Sequence, residues 1–231
     1  MRQLILTWIL MVSSIAFGQY SNHDLYQAYL KRDMQPWQQY IASAQWEELS
    51  DDEQKQLLNY EYGFAAYYVS HVGGDGAEEL LSTYENHIHA CKGKISDAEY
   101  YAHLSGLNSY KLSLDKSHLI KYSSGIFDNI KRAMDLDDNN PFVLTMQGNV
   151  EFYSPFGSKR KALTYYLKAD SIYHQLPHTN ELWNLRAVQM TIVQCLEKLN
   201  RADEAKQRCA QYLEEEPNCL IFQSLWAELN K

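Results

Sequence analysis

The sequence predicts an all-α fold in which helices pair as antiparallel hairpins. Helix start signals recur along the chain, and apolar residues between them recur at spacings of three and four. The strict alternation of a half-buried strand is missing. These observations together predict about ten or eleven helices.

Three segments carry strong helix N-termini. In Ser50–Glu53 and in Ser96–Glu99, a serine is followed three residues later by a glutamate. This is the capping box, in which the two side chains satisfy backbone N–H groups of the first turn. Asn140 precedes a proline at the first helical position, where the missing N–H costs nothing. We therefore expect helices to begin directly after Ser50, Ser96 and Asn140.

The helical hairpins have a period of 34 residues in the C-terminal half. With Pro141 as position 1, Gly148 falls at position 8, where a bare Cα lets the two helices of a hairpin approach closely. A loop with two extra residues then brings small or aromatic side chains to the second helix at Ala162, Tyr166 and Ala169. The last segment repeats these spacings at Ala205, Cys209, Tyr212 and Pro217. Gly63 and Gly106 are further candidates for close approach.

This pattern resembles the tetratricopeptide repeat, over residues 126–217. Together with the start of the chain and the loop Tyr153–Gly157, it is similar to exported tetratricopeptide-like proteins of Bacteroidota-type bacteria, a group with no assigned reaction. The resemblance implies a right-handed solenoid. It divides the chain into an irregular helical-hairpin region, 19–125, and more regular repeats with a C-terminal capping helix, 126–231.

Residues 1–18 have the pattern of a signal peptide. Arg2 is followed by an apolar stretch from Leu4 to Val12 and by the small-residue motif Ala16-Phe17-Gly18. We expect cleavage before Gln19 and a periplasmic or secreted protein. Later apolar runs are too short for a transmembrane helix, which needs about 20 residues.

Composition excludes some classes of function. The chain has 21 Lys and Arg against 29 Asp and Glu, a net charge of −8. Nucleic-acid binding needs a basic face, so no nucleic-acid partner is predicted. The run Lys159-Arg160-Lys161 is the one compact basic segment; it is a candidate anion contact, although the sequence favours a solvated helix start.

No catalytic motif, cofactor site or metal site is predicted. His87 and His89 point about 200° apart on a helix and cannot share one ion. Asp135, Asp137 and Asn139 imitate the first ligands of a calcium loop, but the required glycine and bidentate glutamate are missing. We therefore predict that the protein is not an enzyme.

The four cysteines leave two possibilities open. Cys91, Cys195, Cys209 and Cys219 are either oxidised, with Cys209 and Cys219 able to clip neighbouring helices, or buried free thiols at helix interfaces.

A concave face lined by the first helix of each hairpin is the predicted binding surface. Tyrosine is favoured at such surfaces because it buries a large area and keeps a hydroxyl for hydrogen bonding. The alternative is that many of these rings belong to the core. The candidate groove residues are Tyr60, Phe64, Tyr67, Tyr100, His103, Tyr110, Asn149, Phe152, Tyr153 and Gln194.

The sequence thus favours a non-catalytic scaffold of the cell envelope that binds a protein or peptide partner of unknown identity. The alternative hypothesis is a small-molecule-binding or transport-accessory subunit with a pocket between helices.

Overall fold

The computed structural model describes residues 20–74, 76–177 and 182–231. The predicted signal peptide, 1–18, lies outside the described residues. None of the helices in these ranges is both long and apolar enough to cross a bilayer.

Eleven α-helices form the described part of the chain, and we number them α1 to α11. Two short 3-10 helices, Trp46–Glu48 and Lys116–His118, precede α3 and α6. The α-helices are, in order, Asn22–Leu30, Gln35–Ser43, Asp51–His71, Gly76–Ala90, Asp97–Leu114, Leu119–Leu136, Pro141–Tyr153, Lys159–Tyr173, Leu182–Lys198, Ala202–Glu215 and Leu220–Leu229.

The predicted helix starts are confirmed. Ser50 caps α3 and Ser96 caps α5, each with the complete capping box that involves the glutamate three residues later. The Asn140 side chain accepts hydrogen bonds from the backbone N–H groups of Phe142 and Val143 at the start of α7. Short-range sequence signals therefore define where the long helices begin.

Consecutive helices pack against one another as hairpins, which confirms the all-α helical-hairpin prediction. The α5–α6 and α7–α8 pairs make the most extensive contacts. Gly148 permits the second of these, because an added Cβ would lie 2.5 Å from Cε1 of the fully buried Tyr166 of α8. The predicted role of Gly148 is thus confirmed.

The array also closes on itself. In an open solenoid each repeat contacts only its neighbours, but here α9 packs against α1 and α7 as well as against α8 and α10. The rings of Trp183 in α9 and Trp37 in α2 meet edge to face, with centroids 5.1 Å apart. Gly63 of α3 lies beneath both rings, and an added Cβ would lie 2.7 Å from each.

Polar contacts reinforce this closure. Buried Arg186 of α9 donates to the hydroxyl of Tyr26 in α1 at 3.3 Å and to Glu215 at 2.8 Å. Asn59 of α3 and Asn184 of α9 exchange two side-chain hydrogen bonds of 3.0 Å. Helices far apart in the sequence are therefore joined by apolar packing and by paired polar groups.

All four cysteines are buried free thiols. The thiol of Cys209 in α10 donates to the carbonyl oxygen of Phe222 in α11 at 3.5 Å. The second possibility raised by the sequence, small buried thiols at helix interfaces, is therefore the observed one.

We predict that Gly63→Ala lowers the free energy of unfolding by about 1–3 kcal/mol, because overpacking must displace two buried indole rings. The measurement is urea unfolding followed by circular dichroism. Gly125→Ala in α6 is the matched control. Its new Cβ would meet the half-buried amide of Asn108, which can move, so we expect a change smaller than about 1 kcal/mol. Equal stabilities for the Gly63 variant and the unmodified protein would contradict the closure.

Candidate functional site

The candidate site lies on α3, α5, α7 and α9, the first helices of successive hairpins. Contacts between α5 and α7 show that these two helices run parallel. The Asn140 side chain donates to Glu99 at 3.0 Å, and the rings of His103 and Phe142 are 4.4 Å apart. Farther along, an added Cβ on Gly106 would meet Met146. The two helices therefore end at the same edge of the array.

Tyr62 of α3 is at the centre of the site. Its ring meets Phe142 edge to face at 5.1 Å and lies 6.2 Å from the ring of Trp183. The Tyr110 hydroxyl donates to the backbone carbonyl oxygen of Tyr62 at 3.2 Å. Tyr62 therefore joins the closing helix α9 to the polar residues of α5 and α7.

Asn149 connects two tyrosine hydroxyls. Its amide nitrogen donates to the Tyr62 hydroxyl at 3.3 Å, and its oxygen accepts from Tyr166 at 2.7 Å. The tyrosines at the two ends of this short chain of hydrogen bonds are buried. Asn149, in the middle, is half-buried and borders solvent. A rigid polar group at the protein surface suits binding, because little side-chain entropy is lost when a ligand contacts it.

His103 is a neutral core histidine. It is 6 % exposed, and its Nδ1 lies 2.6 Å from the hydroxyl of Tyr84. Burial lowers the pKa of His103 to about 3. Because the ring stays uncharged at neutral pH and is occupied by Tyr84, it is not a general base for a bound substrate.

Tyr153, at the end of α7, is the exposed aromatic residue of the site. Its exposed fraction is 67 %, and its ring meets Phe152 edge to face at 4.9 Å. Burial nevertheless raises the pKa of Tyr153, and its hydroxyl interacts electrostatically with Cys195 of α9. Tyr153 is thus a largely exposed ring at the end of α7, a helix that contacts α9, and we call the surface around this ring the Tyr153 recess.

The ten candidate groove residues differ in exposure. Tyr60, Phe64, Tyr100, His103 and Phe152 belong to the buried core. Tyr67, Tyr110, Asn149 and Gln194 are half-buried, and Tyr153 is exposed.

Four of the ten lie close together around Tyr62, namely His103, Tyr110, Asn149 and Tyr153. Others have different neighbours: Tyr60 packs against Trp37 and Tyr40, and Tyr67 stacks on His71. Sequence reasoning missed Tyr62 and Trp183. One signal could have identified Tyr62: it is a bulky aromatic residue directly before the close-approach glycine Gly63.

The buried thiols of Cys195 and Cys91 are not activated nucleophiles. Burial raises the pKa of the Cys195 thiol to about 12 and that of the Cys91 thiol to about 11. Both thiols therefore keep their protons at neutral pH, whereas the thiolate is the reactive form.

Ser117, His118 and Asp115 do not form a catalytic triad. The Ser117 hydroxyl and the Asp115 carboxylate both approach the same His118 nitrogen, Nδ1, at 3.0 and 2.6 Å. A triad needs one ring nitrogen for each partner. The three residues instead form a turn before α6, in which Asp115 accepts from the Ser117 N–H at 2.8 Å.

No protein-family model matches the chain, and no curated protein matches it. Among solved structures, its fold is similar to that of the HusA haemophore from Porphyromonas gingivalis. The TM-score is 0.53 and the sequence identity 16 %, and the match covers 83 % of this chain and 93 % of that chain. This likeness supports the helical fold. Membership of the tetratricopeptide family stays a prediction.

We predict that His103 contributes to loss of stability in acid. The folded-state pKa lies below the value of about 6.5 in an unfolded chain, so the unfolded state binds more protons between the two values. Stability therefore falls as the pH falls through this window. In His103→Gln, which keeps an acceptor for Tyr84, the drop in unfolding free energy from pH 7 to pH 5 should be smaller by about 2 kcal/mol.

Urea unfolding at the two pH values measures this difference directly. Both proteins carry the same carboxylates. The difference between their decreases in unfolding free energy from pH 7 to pH 5 therefore measures the contribution of His103 alone. Parallel pH profiles for the variant and the unmodified protein would contradict the buried, neutral His103.

Proposed function

We propose that this protein is an exported, non-catalytic binding protein that carries a small, planar, largely apolar ligand of the porphyrin class in the Tyr153 recess. The observation that carries the proposal is the exposed ring of Tyr153 beside a fixed cluster of aromatic and amide groups. The ligand class is suggested by the similarly folded protein, which is a haemophore. Haem is here the cargo and not a resident cofactor.

The chemistry of the recess suits such a ligand. Aromatic rings stack on flat π-systems, and Tyr153 can offer its ring to one. The hydroxyl of Tyr110 and the amide of Asn149 border the same region and provide polar contacts at its margin.

Lys159 is a cation that is available to pair with an acidic side group of the ligand. Lys159 lies 4.9 Å above the ring of Phe152, and its ammonium group donates to the Phe152 carbonyl oxygen. None of the carboxylates in the described residues forms an ion pair with it. A carboxylate of the ligand could therefore pair with Lys159 next to the Tyr153 recess.

A protein segment is the second candidate ligand. Tyr67, Tyr110 and Gln194 are half-buried, and the Gln194 amide forms no hydrogen bond with another described residue. Side-chain amides and hydroxyls of this kind pair with the backbone of an extended peptide.

Haemin titration tests the proposal. We expect the Soret band of haemin to shift on adding the purified protein, and Tyr153→Ala to raise the dissociation constant at least about tenfold through lost stacking, a change of 1.4 kcal/mol. Helix content should not change, because the removed ring is largely exposed. Tyr122→Ala is the matched control, since Tyr122 is a partly exposed tyrosine on α6 with Lys121 and His118 as its neighbours.

Three outcomes would contradict the proposal in different ways. A protein that leaves the Soret band unchanged does not bind a porphyrin, and the peptide hypothesis then takes its place. Equal affinities for the two variants and the unmodified protein would place the ligand away from the Tyr153 recess. A loss of affinity in Tyr122→Ala as large as in Tyr153→Ala would show non-specific binding to exposed aromatic rings.

A further inference from the structure

Two hairpin tips lie at one edge of the array. One tip is the turn between α5 and α6, and the other is the loop 154–158 between α7 and α8. Because α5 and α7 are parallel and in register at Gly106 and Met146, each continues for about two further turns and both end at the same level. We call this edge the tip edge.

Large apolar side chains protrude from both tips. Phe156 in the second loop is 93 % exposed and Ile120 at the start of α6 is 86 % exposed, with Leu119 beside it at 55 %. These are three of the most exposed large apolar side chains in the described residues. Phe156 and Ile120 in particular bury little surface against the described residues, so packing of this part of the chain does not explain them.

The loop that carries Phe156 is held in place. The Ser158 N–H donates to the Glu151 carboxylate at 2.8 Å, and the Phe156 N–H donates to the Ser154 hydroxyl at 3.2 Å. Gly157 lies against the Glu151 backbone, where a Cβ would collide with the carbonyl group. Phe156 is therefore presented to solvent by an ordered turn.

The charge of the tip edge is opposite to that of the whole chain. Lys116 and Lys121 at the first tip, and Arg160 and Lys161 at the second, are exposed and form no ion pair with another described residue. The acidic neighbours are already engaged: Asp115 contacts His118 and Ser117, and Glu151 accepts from Ser158. A protein with net charge −8 thus has a local cationic surface around its protruding apolar side chains.

We propose that the tip edge docks on a bilayer surface that contains anionic lipids. Membrane-surface binding combines insertion of apolar side chains below the headgroups with attraction of Lys and Arg to anionic lipids. The charge complementarity selects an anionic surface. A bilayer also accommodates protruding side chains on separate loops without preformed pockets, whereas a protein partner would need a matching cavity for each. This inference does not depend on the identity of the ligand in the Tyr153 recess.

Co-sedimentation with vesicles tests the proposal on residues 19–231, the chain that remains after the expected cleavage, so that the apolar residues 4–12 cannot bind the vesicles themselves. We expect the protein to sediment with phosphatidylglycerol–phosphatidylcholine vesicles and to remain in solution with vesicles of phosphatidylcholine alone. Ile120→Ser combined with Phe156→Ser should reduce the bound fraction at least about fivefold, and so should Arg160→Glu combined with Lys161→Glu.

The matched control is Leu136→Ser combined with Leu220→Ser. Both residues are exposed leucines, one at the end of α6 and one at the start of α11. The antiparallel order of the helices places them at the opposite edge. We expect this variant to bind the anionic vesicles as the unmodified protein does.

The proposal is overturned if the unmodified protein does not sediment with anionic vesicles, a result that would favour a protein partner for the tip edge. It is also overturned if neutral vesicles bind equally well, or if the Ile120/Phe156 variant binds no less than the Leu136/Leu220 control. Circular dichroism of each variant shows whether the fold is intact. We expect an intact fold, because the substituted side chains are exposed.

Discussion

The packing of Trp183 against Trp37 above Gly63 is the constraint on which the rest of the structure depends. Helical hairpins in a row bury their faces only against their neighbours. Here α9 supplies apolar surface against which α1, α2 and α3 pack. Gly63 makes this possible, since its bare Cα leaves room for two indole rings. Without that space α9 would be held away from α3.

The closure also decides which groups remain available to a ligand. Trp37, which belongs to the closure, covers the ring of Tyr60 edge to face at 4.8 Å, whereas Tyr153 stays 67 % exposed at the end of α7. The closure has an energetic cost as well. The indole N–H of Trp183 is buried without an acceptor among the described residues. Such a group loses its hydration without full compensation, so the large buried aromatic area must outweigh this loss.

Local features of this fold were predictable from the sequence, and its long-range contacts were not. The capping boxes at Ser50 and Ser96 involve residues three apart, and the Gly148–Tyr166 contact lies within one hairpin; both follow from spacing. Gly63 was recognisable as a close-approach glycine, but its partners Trp37 and Trp183 were not.

The same reason explains the mixed exposure of the candidate site residues. Counting positions from a glycine places a side chain on the inner side of a hairpin, and Asn149 and Tyr153 were found in this way. Whether that side chain is then covered depends on helices that no local pattern specifies. Tyr60 is covered by Trp37, which comes from a helix outside its own hairpin. The predicted groove and the observed core therefore share residues.

The distance along the chain between the paired groups has a consequence for how the protein folds. Tyr26 and Glu216 form a hydrogen bond of 2.8 Å although 190 positions separate them. Contacts of such high sequence separation carry a large loop-closure entropy and slow the folding of a domain. On a ribosome the N-terminal helices emerge first, and they cannot bury Trp37 fully until α9 has been synthesised. The nascent chain therefore remains incompletely folded through most of its synthesis, the state in which a polypeptide can still be threaded through a narrow channel.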